Sequence, residues 1–472
     1  PVPAGKVLAL EISPDALRIA WVEGRGSKFV VVVDGKPGLA YDAIGAGSLR
    51  FSPDSRQVAY AASTGSNGFF VVVDGNAGPE YDLIGANTPI FSSDGKRVAY
   101  VAKKGDKSLV VLNGKPGPEY DAIGAGSLRF SPDSRRVAYV VIHGEKHPVV
   151  MDAKEARQMQ DCFGAISPAY TQIAPDGRST RVVFDVIQGD RQFVVVDGEA
   201  GAEYGGIMAG SLVFSPDGRR VAYGARQGVN WLVVVDGKAG PEYDDIGAGT
   251  PIFGPDGQRV GYAAKKGDKS LVVVDGKPGL EYDGIGLGTP VFSPNAQRMA
   301  YTAAKGSKQF VVIDGETGPE YDAIRADSLV FSPDGRRVAY GARTGDEWVV
   351  VVDGKLSPKY DGIGSDTRSI VFSPDGGRVA YIAGKGEKQF VVVDGKADTE
   401  YDGIVRLSLV FSPDGRHVAY AAGKGNKQFL VVDGKAGSPY DGIVGRRPAF
   451  IGDGVAYLAA KDGYLLRCQG QP

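Results

Sequence analysis

The stretch Phe331-Ser-Pro-Asp-Gly-Arg-Arg-Val-Ala-Tyr340 decides the fold, because close copies of it recur along the whole chain. Its central residues, Ser-Pro-Asp-Gly, favour a tight turn. Proline presets φ, the aspartate side chain accepts a hydrogen bond from the backbone two residues on, and glycine adopts the positive φ that such a turn needs. The flanking residues, Leu329 to Phe331 and Val338 to Tyr340, are apolar and largely β-branched or aromatic, as in strands. The stretch therefore predicts a β-hairpin.

Aligning the turn aspartate divides the chain into twelve repeats, and successive turns lie 39 to 43 residues apart. A fixed period of this length is typical of propellers, kelch-like arrays and solenoids. The aligned positions are Asp15, Asp54, Asp94, Asp133, Asp176, Asp217, Asp256, Asn295, Asp334, Asp375, Asp414 and Asp453.

The ninth repeat contains four strand candidates. Strand a is Ser328 to Phe331, strand b is Arg337 to Ala342, strand c is Glu347 to Val352, and strand d is about Tyr360 to Ile363. Asp353-Gly354 between c and d is a strong hairpin signal. Four antiparallel strands in about 40 residues form one propeller blade, so the sequence predicts an all-β propeller of twelve four-stranded blades.

Two further features predict how the blades pack. Strands such as Phe29 to Val33 are apolar on both faces, which indicates that neighbouring blades cover each sheet. Of the 22 tyrosines, nearly all fall at two repeat positions, that of Tyr321 in Glu-Tyr-Asp and that of Tyr340 in Val-Ala-Tyr. A position that recurs in every blade predicts packing, whereas stacking on a sugar or base is the alternative interpretation.

The pattern Phe-Ser-Pro-Asp-Gly-x-Arg-Val-Ala-Tyr, seen at Phe331 and Phe372 and with His417 replacing arginine at Phe411, resembles the WD40-like repeat of the TolB-type (PD40) β-propeller family. The resemblance covers essentially the whole chain and implies the propeller fold. The extra α/β domain of TolB has no counterpart here, so the resemblance implies no partner.

Two arrangements of the blades stay open. TolB-like rings have six blades, which favours two rings, with domains at residues 1–246 and 247–472. One twelve-bladed ring is the alternative, because Gly247-Ala-Gly-Thr250 at the boundary matches other connectors and because alanine-rich b strands suit narrow wedges. The last repeat lacks a strand d. Either residues 1–5 before the first strand a pair with the last blade and close a single ring, or the terminal edge stays open to another chain.

Charge and composition exclude several classes of protein. A net charge of −2 argues against a nucleic-acid binder, and no apolar run approaches the length of a membrane span. The chain opens at Pro1, so we expect an exported protein, periplasmic or extracellular, whose leader has been removed; a cytoplasmic location is the alternative. Cys162 and Cys468 are far apart in the chain, and we expect two free thiols.

Signals for catalysis are absent from the sequence. There is no nucleophile elbow, phosphate-binding loop or Cys-x-x-Cys pair, so we expect no enzyme, cofactor or metal site. His143 and His147 match no standard zinc spacing, and His417 replaces a repeat arginine, which indicates a structural role. Arginine precedes most b strands, as at Arg337, and aspartate follows most strand-d tyrosines, as at Asp361. Their equal numbers predict ion pairs that stabilise the blades.

The turns between strands b and c carry an excess of positive charge, although the whole chain is slightly acidic. Because these turns lie at one end of each blade, we predict a lysine-bearing face that attracts an acidic protein or another anionic polymer. The alternative interpretation is solubility and protection of strand edges. The residues of this lysine face are Lys103, Lys104, Lys107, Lys265, Lys266, Lys269, Lys305, Lys308, Lys385, Lys388, Lys424 and Lys427.

Two places break the period. Residues 152–163 replace an Asp-Gly turn with a helix-prone segment, in which Asp152, Glu155, Arg157, Met159, Cys162 and Phe163 are candidate docking residues. Residues 365–368 lengthen a connector, where drift at a tolerant loop is the simpler interpretation.

Together these observations favour a non-enzymatic scaffold that presents its turns to a partner. A carbohydrate or small-ligand binder that uses the central channel is the alternative, and an enzyme with an unrecognised site is third. The oligomeric state stays open.

Overall fold

The computed structural model describes residues 2–3, 7–15, 18–65, 68–131, 133–142, 149–151, 154–155, 165–166, 172–173, 182–188, 190–197, 199–364, 369–451, 454–462 and 464–470. The regular elements in these ranges are all β-strands. They form twelve antiparallel sheets, one for each repeat, and the sheets are the blades of a β-propeller. The predicted fold class is therefore confirmed.

The ninth blade shows the common plan. Strand b, Val338–Thr344, pairs along its length with strand c, Glu347–Val352. Strand d, Lys355–Leu356, pairs with the other edge of strand c. Strand a consists of two short segments, Ala323–Ile324 and Val330–Phe331, that pair with opposite halves of strand b.

The strand bounds follow this plan in all blades. The b strands are Ile19–Arg25, Val58–Ser63, Val98–Lys104, Val137–Ile142, Val182–Gln188, Val221–Gln227, Val260–Lys266, Met299–Lys305, Val338–Thr344, Val379–Lys385, Val418–Lys424 and Gly454–Lys461. The c strands are Lys28–Val33, Phe69–Val73, Lys107–Leu112, Val149–Met151, Arg191–Val196, Asn230–Val235, Lys269–Val274, Lys308–Ile313, Glu347–Val352, Lys388–Val393, Lys427–Val432 and Tyr464–Gly470. The d strands are Lys36–Tyr41, Asn76–Ala77, Lys115–Tyr120, Lys154–Glu155, Glu199–Ala200, Lys238–Tyr243, Lys277–Pro278, Glu316–Thr317, Lys355–Leu356, Lys396–Ala397 and Lys435–Ala436, and Val2–Pro3 is the fourth strand of the twelfth sheet.

The a strands lie at one edge of each sheet, next to strand b, and are mostly divided in two. They are Val7–Ile12, Ala43–Ile44 with Arg50–Phe51, Leu83–Ile84 with Ile90–Phe91, Ala122–Ile123 with Arg129–Phe130, Ala165–Ile166 with Gln172–Ile173, Gly206–Ile207 with Val213–Phe214, Asp245–Ile246 with Ile252–Phe253, Gly284–Ile285 with Val291–Phe292, Ala323–Ile324 with Val330–Phe331, Gly362–Ile363 with Ile370–Phe372, Gly403–Ile404 with Val410–Phe411, and Gly442–Ile451.

The two turns of the repeat form as their residues dictate. Asp334 Oδ1 accepts hydrogen bonds from Ser332 Oγ at 2.5 Å and from the Arg336 amide at 3.1 Å, and Gly335 has a φ of 73°. In the c–d turn, Asp353 and Gly354 both have positive φ, 50° and 77°, as a two-residue hairpin requires. Asp353 Oδ1 also accepts the Val338 amide at 2.9 Å, which ties this turn to strand b.

The core lies between blades. Tyr340 and Val351 of the ninth blade pack against Ala300 and Val311 of the eighth. Their chain neighbours Ala339 and Val350 point to the opposite face and join a cluster with Tyr381 and Val392 of the tenth blade. Both faces of strands b and c are therefore covered by neighbouring blades, as the apolar runs predict.

The repeated tyrosines are packing residues, which confirms the structural interpretation. Tyr321 and Tyr340 are both buried, and their rings meet edge to face at 6.2 Å and 74°. Tyr321 lies at the end of the eighth blade and Tyr340 in strand b of the ninth. The same pair recurs from Tyr41–Tyr60 to Tyr440–Tyr457. Each pair contributes about 0.5–1.5 kcal/mol beyond the area that it buries.

The prediction for strand d was wrong in its bounds. Only Lys355–Leu356 and a single bridge from Tyr360 to Trp348 belong to the ninth sheet, whereas Gly362–Ile363 pairs with strand b of the tenth. The chain crosses between blades just after the tyrosine. The apolar pair that follows therefore belongs to the next sheet.

The expected ion pairs exist, but with different partners from those predicted. Arg337 Nε binds Asp353 of the c–d turn at 2.7 Å, and not an aspartate that follows a tyrosine. Its Nη1 donates to the Gly377 carbonyl at 2.8 Å, and its guanidinium lies 5.2 Å from the centre of the Phe372 ring, both in the tenth blade. Arginine thus connects adjacent blades. The same ion pair is found at Arg18–Asp34, Arg220–Asp236, Arg298–Asp314 and Arg378–Asp394.

The twelve sheets form a single ring, which was the alternative arrangement, and the prediction of two six-bladed rings was wrong. The connector after Ile246 has the usual geometry, since Thr250 Oγ1 donates to the Gly247 carbonyl at 2.5 Å as Ser48 does to Gly45 at 2.7 Å. By internal contacts the chain divides into two compact units, Pro1–Gly228 with Val234–Lys238 and Val229–Val233 with Ala239–Pro472. The domain boundary at residue 246 stays a prediction.

We expect Arg337→Met to lower the free energy of unfolding by about 1–2 kcal/mol, because it removes a half-buried ion pair, a charged hydrogen bond and a cation–π contact. Chemical or thermal unfolding of the purified protein measures the change. Arg336→Met is the matched control, since that side chain is 85% exposed and lies 3.8 Å from Asp334. Equal stability of the two variants would contradict the bridging role of Arg337.

Candidate interaction surface on blades 8 to 10

The b–c turns of these blades are held by an aspartate shared between neighbours. In the eighth blade, Lys308 Nζ binds Asp322 Oδ1 at 2.6 Å, while Asp322 Oδ2 accepts the amide of Gly345 in the next b–c turn at 2.7 Å. The hydrogen bond from Lys308, followed by that from Gly345, lowers the pKa of the Asp322 carboxyl below its ordinary value of 3.8. Asp322 therefore joins the eighth and ninth blades at their b–c ends.

The predicted lysine face divides into three groups. Lys107, Lys269, Lys308, Lys388 and Lys427 each bind the aspartate that follows a tyrosine. Lys104 and Lys266 lie 3.4 and 3.8 Å from Glu119 and Glu281. Within the part of the chain that the structure describes, Lys103, Lys265, Lys305, Lys385 and Lys424 are exposed and make no ion pair. Only this last group leaves its charge available to a partner.

The ninth blade departs from its neighbours at the same end. Trp348 occupies the position that Gln309 and Gln389 hold in the eighth and tenth blades, where each glutamine accepts the amide of an isoleucine at 2.7 and 2.8 Å. The guanidinium groups of Arg325 and Arg343 lie 5.3 and 5.9 Å from the centre of the indole ring. The indole is half-exposed and lies close to both cations.

A cavity of about 350 Å³ adjoins this cluster, between the connectors that enter the eighth and ninth blades. Ile285, Ala303 and Ile324 line it, and Arg325 borders both the cavity and Trp348. Leu287 at its edge is 77% exposed. The cavity is mainly apolar, so a side chain of a partner would find both an apolar recess and flanking positive charge.

Sequence reasoning missed Trp348, Arg325 and Leu287. Part of the signal was present in the sequence. Arg325 and Leu287 lie in connectors whose counterparts at residues 45–47, 124–126 and 247–249 read Gly-Ala-Gly, and Trp348 replaces the glutamine of the eighth and tenth blades, although the sixth blade has Trp231 at the same position. The comparison of charges among the b–c turns overlooked it, since the ninth turn, Thr344 to Glu347, is the acidic one.

Other predicted residues lie elsewhere or outside the described residues. Of the docking segment, Asp152, Arg157, Met159, Cys162 and Phe163 lie outside them, and Glu155 is described only as part of the strand Lys154–Glu155. His143, His147 and residues 365–368 also lie outside. His417 takes the place of the repeat arginine and binds Asp433 at 2.6 Å, and Cys468 is a free thiol.

Neither a metal cluster nor a membrane helix is found among the described residues. No group of three or more histidine, cysteine, aspartate or glutamate side chains is placed to hold a metal ion there. The same residues include no helix of the length and apolarity that crossing a membrane requires. The expectation that the chain has no catalytic or cofactor site stays a prediction.

The fold defines the chain as a β-propeller. No family model matches the chain, and no curated protein sequence matches it. A eukaryotic initiation factor aligns over 84% of this chain and 89% of its own, with 10% identity and a TM-score of 0.37. The Dos1 propeller covers 74% of this chain and 92% of its own, with 12% identity and a TM-score of 0.28. TolB from Acinetobacter baumannii covers 57% and 77%, with 15% identity and a TM-score of 0.25. These likenesses carry no argument about function.

Acid should weaken the shared-aspartate contacts. The pKa values of Asp283, Asp322, Asp402 and Asp441 are all lowered, each first by the hydrogen bond from its lysine. Their stabilisation is therefore present above the ordinary carboxyl pKa of 3.8 and is lost as the pH falls through the lowered values.

The comparison of wild type with Asp322→Asn isolates one such contact. We expect the wild type to melt at a higher temperature above about pH 5 and the difference to shrink toward zero in stronger acid. Thermal unfolding across a pH series measures it. A difference that persists at low pH would show that the carboxylate charge is not the cause.

Proposed function

We propose that this chain is a non-enzymatic interaction platform and that its partner is a protein with acidic side chains, bound at the b–c ends of blades 8 to 10. The observation that carries the proposal is the position of the half-exposed Trp348 indole, which lies close to the guanidinium groups of both Arg325 and Arg343. Tryptophan and arginine are the residues most enriched among those that dominate binding energy, especially beside a pocket that excludes water.

The charges around Trp348 support the same binding surface. Lys305 of the eighth blade and Lys385 of the tenth flank the cluster and are exposed without an ion pair in the described structure. Charges of this kind at the edge of an interface steer association and select a complementary partner more than they add affinity. An acidic protein surface with one protruding apolar side chain fits both the lysines and the recess near Leu287.

We also propose that the chain is a WD40-like, TolB-type repeat protein and that it works outside the cytoplasm. The Phe-Ser-Pro-Asp-Gly motif at Phe331 and Phe372 supports the first proposal. The location outside the cytoplasm is a separate proposal, which cell fractionation tests. Detection of the protein in the periplasmic or secreted fraction of its source, but not in the cytosol, would support that location.

We expect Trp348→Gln to weaken binding of the partner by about tenfold or more, because it removes the indole while restoring the residue found in neighbouring blades. Lys305→Glu with Lys385→Glu should weaken binding too, and more strongly at low salt. Proteins captured from the native source on wild-type and variant bait are identified by mass spectrometry, and affinities of the recovered partner are then measured.

Lys355→Glu with Lys396→Glu is the matched control, because these exposed lysines lie in strands d of the ninth and tenth blades, at the opposite end. This control should bind the partner as the wild type does. The proposed surface would be refuted if the partner bound Trp348→Gln with the wild-type affinity, or if its affinity did not change with salt concentration. Recovery of an anionic glycan or lipid instead of a protein would refute the class of partner.

A further inference from the structure

Equivalent clefts lie between neighbouring blades at the c–d end, each bounded by strand d of one blade and strand b of the next. The cleft between blades 2 and 3 has a volume of about 460 Å³. Its counterparts between blades 8 and 9 and between blades 10 and 11 measure about 620 and 350 Å³. The three are lined by the same repeat positions, so each can be compared with the others residue by residue.

The tyrosine of Val-Ala-Tyr lines each cleft, and its hydroxyl is treated differently in two of them. Between blades 10 and 11, Tyr420 donates its hydroxyl hydrogen to Asp398 Oδ2 at 2.6 Å. Between blades 2 and 3, the position of Asp398 is occupied by Gly78, and a Cβ there would lie 3.4 Å from the Tyr100 hydroxyl. Gly78 thus leaves room where Asp398 supplies an acceptor.

The Tyr100 hydroxyl has no hydrogen-bond partner among the residues that the structure describes. Tyr100 is 2% exposed, and its hydroxyl is buried. A buried hydroxyl that is left unpaired destabilises the folded state, and such groups in native proteins need an explanation. An oxygen atom of a ligand in this cleft would occupy the place that the Asp398 carboxylate fills in the other copy.

The cleft between blades 2 and 3 also exchanges charged side chains for amides. Gln57 stands where the cleft between blades 8 and 9 has Arg298, Asn76 where it has Glu316, and Asn113 where it has Asp353. Among the described residues, no carboxylate lines the amide cleft, and Lys96 is the one charged residue that does. Asn113 Oδ1 accepts the Val98 amide at 2.9 Å, which leaves its NH₂ group to donate.

From this geometry we propose that the cleft of Gln57, Asn76, Tyr100 and Asn113 is a binding site for an uncharged saccharide. Sugar hydroxyls both donate and accept hydrogen bonds, and carboxamides match them with both groups on one side chain. The Tyr100 hydroxyl donates to a further sugar oxygen, and Val71 and Val98 give an apolar wall. The volume lies within the range of small-ligand sites, about 300–1,000 Å³. This site is separate from the surface around Trp348.

Titration of the purified full chain with a panel of maltose, cellobiose and diacetylchitobiose tests the proposal by calorimetry. We expect at least one of them to bind to the wild type. Tyr100→Phe should weaken that binding at least tenfold, because it removes the unpaired donor. Gly78→Asp should abolish it, since the new carboxylate takes the hydroxyl as Asp398 does for Tyr420.

Stability measurements distinguish loss of the site from loss of the fold. Tyr100→Phe should melt at or above the wild-type temperature, because the hydroxyl it removes has no partner. Tyr420→Phe is the matched control: it loses the bond to Asp398, should melt at a lower temperature, and should bind saccharide as the wild type does. Gly78 does not have a positive φ, and Asp398 already occupies the equivalent backbone position.

Three results would overturn the proposal. The first is that none of the three disaccharides binds to the wild type. The second is that binding is unchanged in both Tyr100→Phe and Gly78→Asp, which would place the ligand elsewhere. The third is that a sulfated or sialylated glycan binds more tightly than its neutral parent and loses this preference in Lys96→Ala, which would make the ligand anionic.

Discussion

The structure depends on strands that are apolar on both faces. Within one strand, Ala339 and Tyr340 point to opposite sides and pack against different neighbours, the tenth and the eighth blade. A single blade has no interior of its own, so its burial comes almost entirely from the blades beside it. This is why the same tyrosine pair recurs between blades and why the sheets must be arrayed without gaps.

Two polar contacts join neighbouring blades at opposite ends, as the eighth to tenth blades show. At the end that carries the c–d turns, Arg337 forms an ion pair with Asp353 and donates a hydrogen bond to the Gly377 carbonyl of the next blade. At the b–c end, Asp322 receives Lys308 from one blade and the Gly345 amide from the next. Each contact is partly exposed and contributes modestly by itself. Because they recur from blade to blade, they fix the relative height of adjacent sheets, which apolar packing leaves less defined. The arrangement also means that most turn lysines serve the fold, and that only a subset is available to a partner.

The period of the sequence predicted the blades, their order and the packing role of the tyrosines, since these are local or repeated properties. It did not predict which aspartate binds Arg337, because Asp353 and Asp361 each occur once in a blade and a count does not separate them. The prediction of the bounds of strand d was wrong for a related reason, because Tyr360 and Ile363 are close in the chain but belong to different sheets. The number of blades in the ring could not be predicted from local sequence patterns, because it depends on small packing angles summed over all blades. Asn113 and Asp398 were within reach of the sequence, because each departs from the residue that most copies have at its position.

A repeat protein makes such departures informative. All copies of a repeat position have nearly the same backbone environment. A residue that differs can therefore be compared directly with the residues at the same position in other blades. Where the change merely exchanges one satisfied contact for another, as with His417 and Asp433, drift explains it. Beside the tyrosine of Val-Ala-Tyr the departure is Asp398, because glycine is the usual residue at this position, as at Gly78 and Gly240. Asp398 shows that the tyrosine hydroxyl is easily satisfied by one substitution, and yet Tyr100 is without that partner. The unpaired hydroxyl has a stability cost that the fold does not require, and a ligand oxygen in the cleft would account for its presence.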